Sequence, residues 1–294
     1  MKNIKKPIII SGIPRSGTTP LGSVLSSIKG FSMIYEPFNA NQGIIDVHLN
    51  YLYPGKNISV EQFQSIFNNL IQFKSSFKKG YLKNDSLAKR IFKTFFGNES
   101  SLSYLKAKKS LSTNQLLIKD PFLLFCSKEL CLNHKVIICY RPLMALAGSF
   151  KRMKWDFKEF EDLINFFPPN SIKSLRFKAN DKISSNVVGA IQFYELFYNY
   201  MNSINSNKNL YFFSQQEFST DPIEEITNVL KWLELEVSDE IIQLSQSLNK
   251  GKSSQIHIPD QSIQHDPDYN KKYSNEYYKL VLTKEEIDLI DAFV

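Results

Sequence analysis

The chain has 294 residues, of which 43% are hydrophobic and 13% aromatic, so it can bury a substantial core and is not a disordered chain. Its net charge of +7 favours anionic ligands, although a basic composition alone does not identify them. No apolar run is long enough to span a bilayer, which excludes a transmembrane helix and leaves only contact with a membrane surface open.

The first half of the chain begins with a strand, a loop and a helix. Residues 7–11 are typical of a buried parallel strand, and residues 18–28 of the helix that follows it. A second strand is predicted over residues 31–39, where it runs into a loop at Glu36. Residues 59–110 are rich in lysine and show helical periodicity, which predicts helices outside the sheet that could cover a substrate.

The second half of the chain continues the alternation of strands and helices. Three further strands are predicted over residues 114–122, 134–142 and 209–218. An amphipathic aromatic helix is predicted over residues 186–205. A last helix, over residues 221–235, begins with an aspartate cap that is followed by proline.

This alternation predicts the fold class. Strands separated by helices form a parallel sheet with helices on both faces, which is an α/β architecture. The sequence contains no internal repeat and no low-complexity linker, so a single domain over residues 1–294 is the better prediction. Residues 250–275 are polar and are predicted to form a loop.

The spacing Gly12-x-x-x-x-Gly17 is that of a phosphate-binding loop. In a strand-loop-helix of this kind, backbone N–H groups and the helix N-terminus face an anion. The two glycines permit the backbone geometry, and Ser16, Thr18 and Thr19 add hydroxyl donors. A purely structural glycine-rich turn is the alternative interpretation.

The loop lacks the lysine of a nucleoside-triphosphate site, because Thr18 occupies that position. In such sites the lysine neutralises the β- and γ-phosphates, and a serine or threonine holds magnesium. Arg15 is the only cation inside the loop, and its fork suits an oxyanion with less charge than a triphosphate. The loop therefore points away from a kinase and toward a phosphosulfate.

Five segments, in order, resemble sulfotransferases that use 3′-phosphoadenylyl sulfate (PAPS). PRSGTT (14–19) is similar to the loop that binds the 5′-phosphosulfate, and YEP (35–37) to a glutamate-containing loop of carbohydrate sulfotransferases. KDPF (119–122) resembles a strand end of tyrosylprotein sulfotransferases. YRPLMALAGS (140–149) resembles the family's 3′-phosphate element, and residues 217–235 resemble its later strand-helix segment.

The resemblance implies transfer of a sulfuryl group from PAPS to a hydroxyl, by in-line displacement. It assigns Glu36 as the base, while Arg15 and Lys119 hold the transferring sulfonate. It also implies that Arg141 and Ser149 bind the 3′-phosphate. The simpler alternatives are a helix cap or surface carboxylate for Glu36 and a solvated strand-end lysine for Lys119.

The resemblance also implies further contacts to the co-substrate. These contacts come from the loop residues Gly12, Pro14, Arg15, Ser16, Gly17, Thr18 and Thr19. Lys252 and Ser253 would close over the nucleotide from the polar tail, although a basic flexible loop explains them nearly as well. Two positions depart from the family pattern: Pro142 follows Arg141 where aspartate is usual, and Gln215 replaces an aromatic residue.

Cysteine and histidine usage argues against a metal site. The cysteines, which are Cys126, Cys131 and Cys139, lack C-x-x-C spacing and fit buried thiols in a reducing compartment. The histidines, which are His48, His134, His257 and His265, are scattered along the chain. We therefore expect a cytoplasmic protein, and the single charge of a sulfonate requires no metal.

The nature of the acceptor rests on the YEP segment, which favours a carbohydrate or glycoconjugate and a bacterial enzyme; no nucleic-acid partner is predicted. Residues 40–113 match no known segment and are expected to form a helical insertion that shapes the acceptor side. Two other functions stay open at this point. One is a small-molecule kinase with a P-loop, and the other is a protein that binds nucleotides or polyanions without turnover.

Overall fold

Five strands form a parallel sheet that is flanked by helices, as predicted from the alternation of elements. The strands are β1 (Lys5–Gly12), β2 (Phe31–Tyr35), β3 (Gln115–Lys119), β4 (Val136–Tyr140) and β5 (Leu210–Ser214). Their order across the sheet is β2-β3-β1-β4-β5. Each pair of neighbouring strands is separated along the chain by at least one helix, as parallel pairing requires, because each crossover needs an intervening segment.

The structure is a computed structural model, and it describes residues 5–80, 97–155, 161–168, 172–204, 206–251, 255–260 and 269–294. These residues divide into two compact units. The first unit falls within Met1–Pro14, Thr18–Ile138 and Ser206–Phe212, and the second within Arg15–Gly17, Cys139–Asn205 and Phe213–Val294. Strands β1, β2 and β3 belong to the first unit, whereas β4 and β5 begin in the first and end in the second.

The helices of the first unit are α1 (Thr18–Ser26), α2 (Val60–Ile71), α3 (Glu99–Lys109) and α4 (Ser127–Leu130). Those of the second unit are α5 (Leu143–Met153), α6 (Glu161–Ile164), α7 (Ser185–Asn202), α8 (Gln215–Thr220), α9 (Pro222–Leu233), α10 (Asp239–Asn249) and α11 (Lys284–Asp291). Short 3₁₀ helices cover Pro121–Cys126, Lys173–Arg176, Lys271–Tyr273 and Tyr277–Leu280. None of the helices in the described ranges has both the length and the apolar composition to cross a lipid bilayer.

The register of the first three strands places their carboxyl ends side by side. Ile10 of β1 and Tyr35 of β2 both pair with Lys119, the last residue of β3. All of β3 and the last six residues of β1 are buried, so these strands are covered on both faces. The residues that follow β1, β2 and β3 therefore leave the sheet at a common edge, where parallel sheets gather ligands.

Each unit has its own buried aromatic and aliphatic core. In the first unit, Phe38 packs against Phe63 and Phe67 of α2, with ring centroids 5.9 and 6.4 Å apart. In the second unit, α5 packs against α7, and Phe150 and Phe193 from these helices are fully buried. Burial of large apolar side chains supplies the main driving force for both cores.

Local capping decides where several predicted elements begin and end. Helix α9 starts as predicted, because Asp221 Oδ1 accepts hydrogen bonds from the N–H groups of Ile223 and Glu224, at 3.1 and 3.0 Å. The fifth strand ends earlier than predicted. Its Ser214 Oγ accepts from Glu217 N at 3.2 Å and begins helix α8, so residues 215–218 are helical and not extended.

The predicted helical region 59–110 contains two described helices. Ser59 and Gln62 form a reciprocal capping box at the start of α2. Asn98 caps α3 through Ser101 N at 3.0 Å. Residues 72–80, which follow α2, form no helix. Residues 81–96 lie outside the described part of the chain.

Candidate active site

The common edge of β2 and β3 brings a carboxylate and an ammonium group together. Lys119 Nζ donates to Glu36 Oε1 at 2.7 Å. The side chain of Lys119 is 3% exposed and that of Glu36 is 19% exposed. The lysine is therefore held inside the first unit, while the carboxylate keeps some access from outside.

Neighbouring residues fix both the aliphatic chain and the ammonium group of Lys119. Its ammonium lies 4.2 Å from the centroid of the Tyr35 ring, within the range of a cation–π contact. A Cβ atom at Gly22 would come within 3.4 Å of Lys119 Cγ and 2.8 Å of Met33 Sδ. Glycine in α1 thus leaves room for the lysine stem, and the side chain has one defined direction.

The backbone of Glu36 is held by the end of β3. Glu36 has a left-handed φ of +43°, and its N–H donates to Lys119 O at 2.8 Å. The fully buried Asp120 accepts from Phe38 N at 2.5 Å and from Phe122 N at 2.9 Å. One carboxyl group therefore joins the two turns that follow β2 and β3, and burial raises its pKa to about 8.

The start of helix α3 contributes a further carboxylate, that of Glu99, which sequence analysis did not identify. Ser100 Oγ donates to Glu36 O at 3.1 Å, and Ser103 Oγ accepts from Tyr35 N at 2.9 Å, so α3 is tied to the end of β2. Partial burial and the charge of Glu36 raise the pKa of Glu99, while Lys119 lowers it. The only signal for this position in the sequence is an acidic residue directly after the Asn98 cap.

The phosphate-loop residues adopt backbone angles that explain the glycines. Gly12 has φ +142° and Gly17 has φ +90°, both in the region that side chains disfavour. Arg15, between them, also has a positive φ of +71°. Pro14 is buried, and Thr18 is the first residue of helix α1. Thr19 forms a side-chain hydrogen bond with Tyr35.

In the second unit, one residue from the loop meets two residues from the segment 141–149. Arg15 Nε donates to Ser149 Oγ at 3.4 Å. Arg141 Nη1 donates to the carbonyl oxygen of Arg15 at 3.1 Å. Arg141 is 4% exposed and Ser149 is fully buried. Arg15 therefore contacts both of the other residues predicted from the sequence, Arg141 and Ser149.

Two further contacts of Arg141 could not be read from the sequence. Its Nη2 atom donates to the carbonyl oxygen of Ser274 and, at 3.2 Å, to Asn275 Oδ1. Gln215 Nε2 donates to Ser274 Oγ at 2.8 Å, and a Cβ at Gly17 would come within 3.1 Å of Gln215 Cγ. The glutamine that replaces the family's aromatic residue thus lies against the phosphate loop.

A family model described as "Sulfotransferase domain" matches residues 5–294. The chain belongs to the sulfotransferase family. The match spans the loop, the strand ends and the segment 141–149, so the sulfotransferase class predicted from these residues is confirmed. A search of curated proteins finds no matching relative.

Solved structures similar to this sulfotransferase include other members of the class. One is the sulfotransferase domain from the curacin biosynthetic pathway, with 14% identity, coverage of 99% of this chain and 98% of that chain, and a TM-score of 0.47. Another is retinol dehydratase in a complex with retinol and PAP, with 13% identity, coverage of 100% and 80%, and a TM-score of 0.49. A third is mouse sulfotransferase SULT7A1 complexed with PAP, with 12% identity, coverage of 99% and 84%, and a TM-score of 0.46. Because these identities do not exceed 14%, the assignment rests on the family model.

Buried polar atoms near the loop fit an anionic co-substrate of this sulfotransferase. Ser16 Oγ and Arg141 Nε are buried and have no hydrogen-bond partner among the described residues. Unpaired buried donors are costly, and a phosphate or phosphosulfate group would supply acceptor oxygens for the serine and the arginine. The residues present therefore fit the co-substrate that the loop predicts.

Two residues that were predicted to contact the nucleotide lie outside the described part of the chain. Lys252 and Ser253 lie outside the described residues, as does His265. The three cysteines are buried thiols, as expected. Within the described ranges, no group of three or more histidine, cysteine, aspartate or glutamate side chains is arranged to hold a metal ion.

Proposed function

We propose that this sulfotransferase moves a sulfuryl group from PAPS to a hydroxyl group of a carbohydrate or glycoconjugate. The observation that carries the proposal is the contact of Arg15 with Ser149 and of Arg141 with the Arg15 carbonyl. These contacts gather two cations and a hydroxyl at a loop that has threonine in place of the lysine of ATP sites. PAPS has both a 5′-phosphosulfate and a 3′-phosphate, and this donor set suits both groups.

In the proposed reaction, Glu36 accepts the proton of the acceptor hydroxyl. Its Oε1 atom is paired with Lys119, and its Oε2 atom is 3.5 Å from Asn39 Nδ2, a long contact that leaves this oxygen able to accept. The acceptor oxygen then forms a bond to sulfur while the bond from sulfur to the 5′-phosphate oxygen breaks. The products are the sulfate ester, adenosine 3′,5′-bisphosphate (PAP) and the proton on Glu36, so atoms and charge balance.

Lys119 has two roles in this scheme. Its ammonium orients the Glu36 carboxylate through the 2.7 Å contact, and it supplies a positive charge that stabilises the sulfonate and the departing phosphate oxygen. The Tyr35 ring and the buried environment hold that charge in place before any ligand binds. Arg15, from the loop, supplies a second positive charge for the sulfonate.

Binding of the nucleotide depends on the loop and on the segment that follows β4. Backbone N–H groups of the loop and the hydroxyls of Ser16, Thr18 and Thr19 are donors for the 5′-phosphosulfate. Arg141 and Ser149 are the donors for the 3′-phosphate. Lys252 and Ser253 remain proposed contacts from the tail.

The acceptor part of the proposal rests on the segment Tyr35-Glu36-Pro37 and on residues 40–113, which we propose as the acceptor-side insertion of a single domain. A cytoplasmic location and a bacterial glycan or glycolipid precursor as acceptor belong to the same proposal. Helix α3 supports it, because Ser100 in its first turn donates to the Glu36 carbonyl oxygen and the charge of Glu36 raises the pKa of Glu99. Carboxylates are suitable partners for sugar hydroxyls, since each oxygen accepts two hydrogen bonds.

Two measurements test the proposed function. Calorimetry with PAP, ADP and ATP, with and without EDTA, should give tight binding of PAP alone, independent of magnesium. Tight, magnesium-dependent binding of ATP would instead support a kinase. An acceptor screen with labelled PAPS against sugars, lipid-linked glycans and phenols should label a glycan. Binding of PAP without transfer to any acceptor would support a nucleotide-binding protein, and labelling of phenols alone would contradict the carbohydrate acceptor.

A further inference from the structure

Two arginines of the second unit are buried close to each other. Arg141 follows strand β4, and Arg152 lies in the last turn of helix α5; each is only 4% exposed. Burial lowers the pKa of Arg141, and the like charge of Arg152 lowers it further. Burial thus disfavours the positive charge of Arg141, and repulsion from the second buried arginine adds to the cost.

No carboxylate compensates these charges in the described part of the chain. Arg141 donates to backbone and amide oxygens and forms a side-chain hydrogen bond with Tyr277, and Arg152 Nη1 donates to the carbonyl oxygen of Asp260 at 2.7 Å. The carboxylate of Glu286 is paired with the neighbouring Lys151, at 2.6 Å. The Nε atoms of both arginines are buried and lack an acceptor. Buried charges in proteins are normally paired, so this arrangement indicates an anionic ligand.

A buried phenol lies beside the two arginines. Tyr269 is 2% exposed, and its hydroxyl group has no partner among the described residues. The ring of Tyr269 packs edge-on against that of Tyr277, with centroids 6.0 Å apart, and Tyr277 forms a side-chain hydrogen bond with Arg141. Burial raises the pKa of Tyr269, and the charges of Arg141 and Arg152 lower it, as this position explains. The carboxylate of Glu276 is itself paired with Lys279 at the surface, at 3.3 Å.

The spacing of residues on α5 places a fourth group, the hydroxyl of Ser149, on the same helix face as Arg152. Ser149 and Arg152 are three residues apart on α5, a spacing that puts both side chains on one face of a helix. Ser149 is fully buried and contacts Arg15, whose carbonyl oxygen accepts from Arg141. The serine thereby connects Arg152 to the group of residues around Arg141.

We propose that Arg152 and Tyr269 complete, with Arg141 and Ser149, a site for a phosphate monoester dianion. Two arginine forks compensate two negative charges, and the phenol and serine hydroxyls donate to the remaining oxygens. A singly charged group would leave one buried arginine uncompensated. Given the proposed use of PAPS, on which this step rests, the occupant is the 3′-phosphate. Selection of 3′-phosphorylated nucleotides then depends on Arg152 and Tyr269 as well as on Arg141.

The test compares PAP with AMP, which lacks the 3′-phosphate, by calorimetry on the full chain. Arg152→Gln should lower the affinity for PAP about 10- to 100-fold, and Tyr269→Phe about 3- to 10-fold, because each removes donors to a charged group. Both variants should keep the affinity for AMP within about threefold. Arg176→Gln is the matched control, since Arg176 is exposed in the same unit, and it should leave both affinities unchanged.

Each other outcome has a distinct meaning. Equal losses for PAP and AMP in Arg152→Gln, or unchanged PAP affinity in both variants, overturn the inference. If Arg152→Gln melts below the assay temperature, Tyr269→Phe alone decides, because it removes one oxygen atom and keeps the ring. A wild-type protein without preference for PAP over AMP overturns the proposed function instead. The anion site then stands only if Arg152→Gln weakens binding of inorganic phosphate, and it falls if that binding is unchanged.

Discussion

Lys119 Nζ lies 2.7 Å from Glu36 Oε1, although the two residues are 83 positions apart in the chain. The contact forms because β2 and β3 are parallel neighbours in register, with Tyr35 opposite Lys119. The proposed base and the proposed catalytic cation are thus assembled by the sheet itself. Such preorganised groups need little rearrangement when charge develops in a reaction.

Glu36→Gln should abolish most turnover while leaving the fold and PAPS binding nearly intact. The amide keeps the shape of the side chain but does not accept the acceptor's proton, and a general base typically contributes about 10²- to 10⁴-fold. Turnover is measured with labelled PAPS and the acceptor found in the screen. Glu61→Gln is the control, because Glu61 is an exposed glutamate of the same unit.

A Glu36→Gln variant with more than about half of the wild-type turnover would place the base elsewhere. Glu99 is then the next carboxylate to test, because the charge of Glu36 raises its pKa and that of Lys119 lowers it. Glu99→Gln in the same assay separates the two assignments.

Lys119→Met should slow turnover and also weaken PAPS binding. The variant keeps the buried stem beside Gly22 and removes only the charge, so lost packing contributes little. An interaction made with the donor in both the ground state and the transition state affects affinity and turnover together. The exposed Lys106→Met in the same unit is the control. Unchanged PAPS affinity with lower turnover would restrict Lys119 to orienting Glu36.

Arg141→Ala should weaken PAP binding about 10- to 100-fold, since a hydrogen bond to a charged group contributes roughly 1.5–3 kcal/mol. Calorimetry measures the effect, with Arg15→Ala for comparison. Unchanged affinity in Arg141→Ala, together with a large loss in Arg15→Ala, would mean that the 3′-phosphate site has been placed wrongly.

Acid should destabilise the protein partly through His134. Burial, with a contribution from the nearby charge of Lys6, lowers the pKa of His134 to about 4, from 6.5 in the unfolded chain. The unfolded state therefore binds more protons between these values, and the free energy of unfolding falls as the pH drops from about 6.5 to about 4. Above pH 6.5 this contribution is complete and constant.

The contribution of His134 is measured by replacing it. His134→Phe keeps a ring against Phe67, whose centroid is 5.2 Å from that of the histidine, but removes the titration. Urea unfolding from pH 7.5 to 4.5 should show a shallower loss of stability in the variant, by at most about 1.4 kcal/mol per pH unit. Parallel pH profiles for the two proteins would show that His134 is protonated equally in both states.

Local signals in the sequence were sufficient for much of the fold. The apolar strand before Gly12 and the helix after Gly17 predicted the loop, since both are determined by neighbouring residues. Asp221-Pro222 predicted the start of α9 for the same reason. The end of β5 was misplaced because Ser214 caps a helix there, and a hydroxyl cap is a weak signal beside a run of β-prone aromatic residues.

The sequence by itself determined the family, the order of strands and helices along the chain and the chemical character of the loop. These features depend on residues that are close together in the chain. Only the tertiary structure decided which distant groups meet. Strand register paired Glu36 with Lys119, and helix placement brought the start of α3 to Glu36. The burial of Arg152 and Tyr269 near Arg141 likewise has no local signature. Contacts of this kind depend on how elements pack, and neither periodicity nor capping encodes that packing.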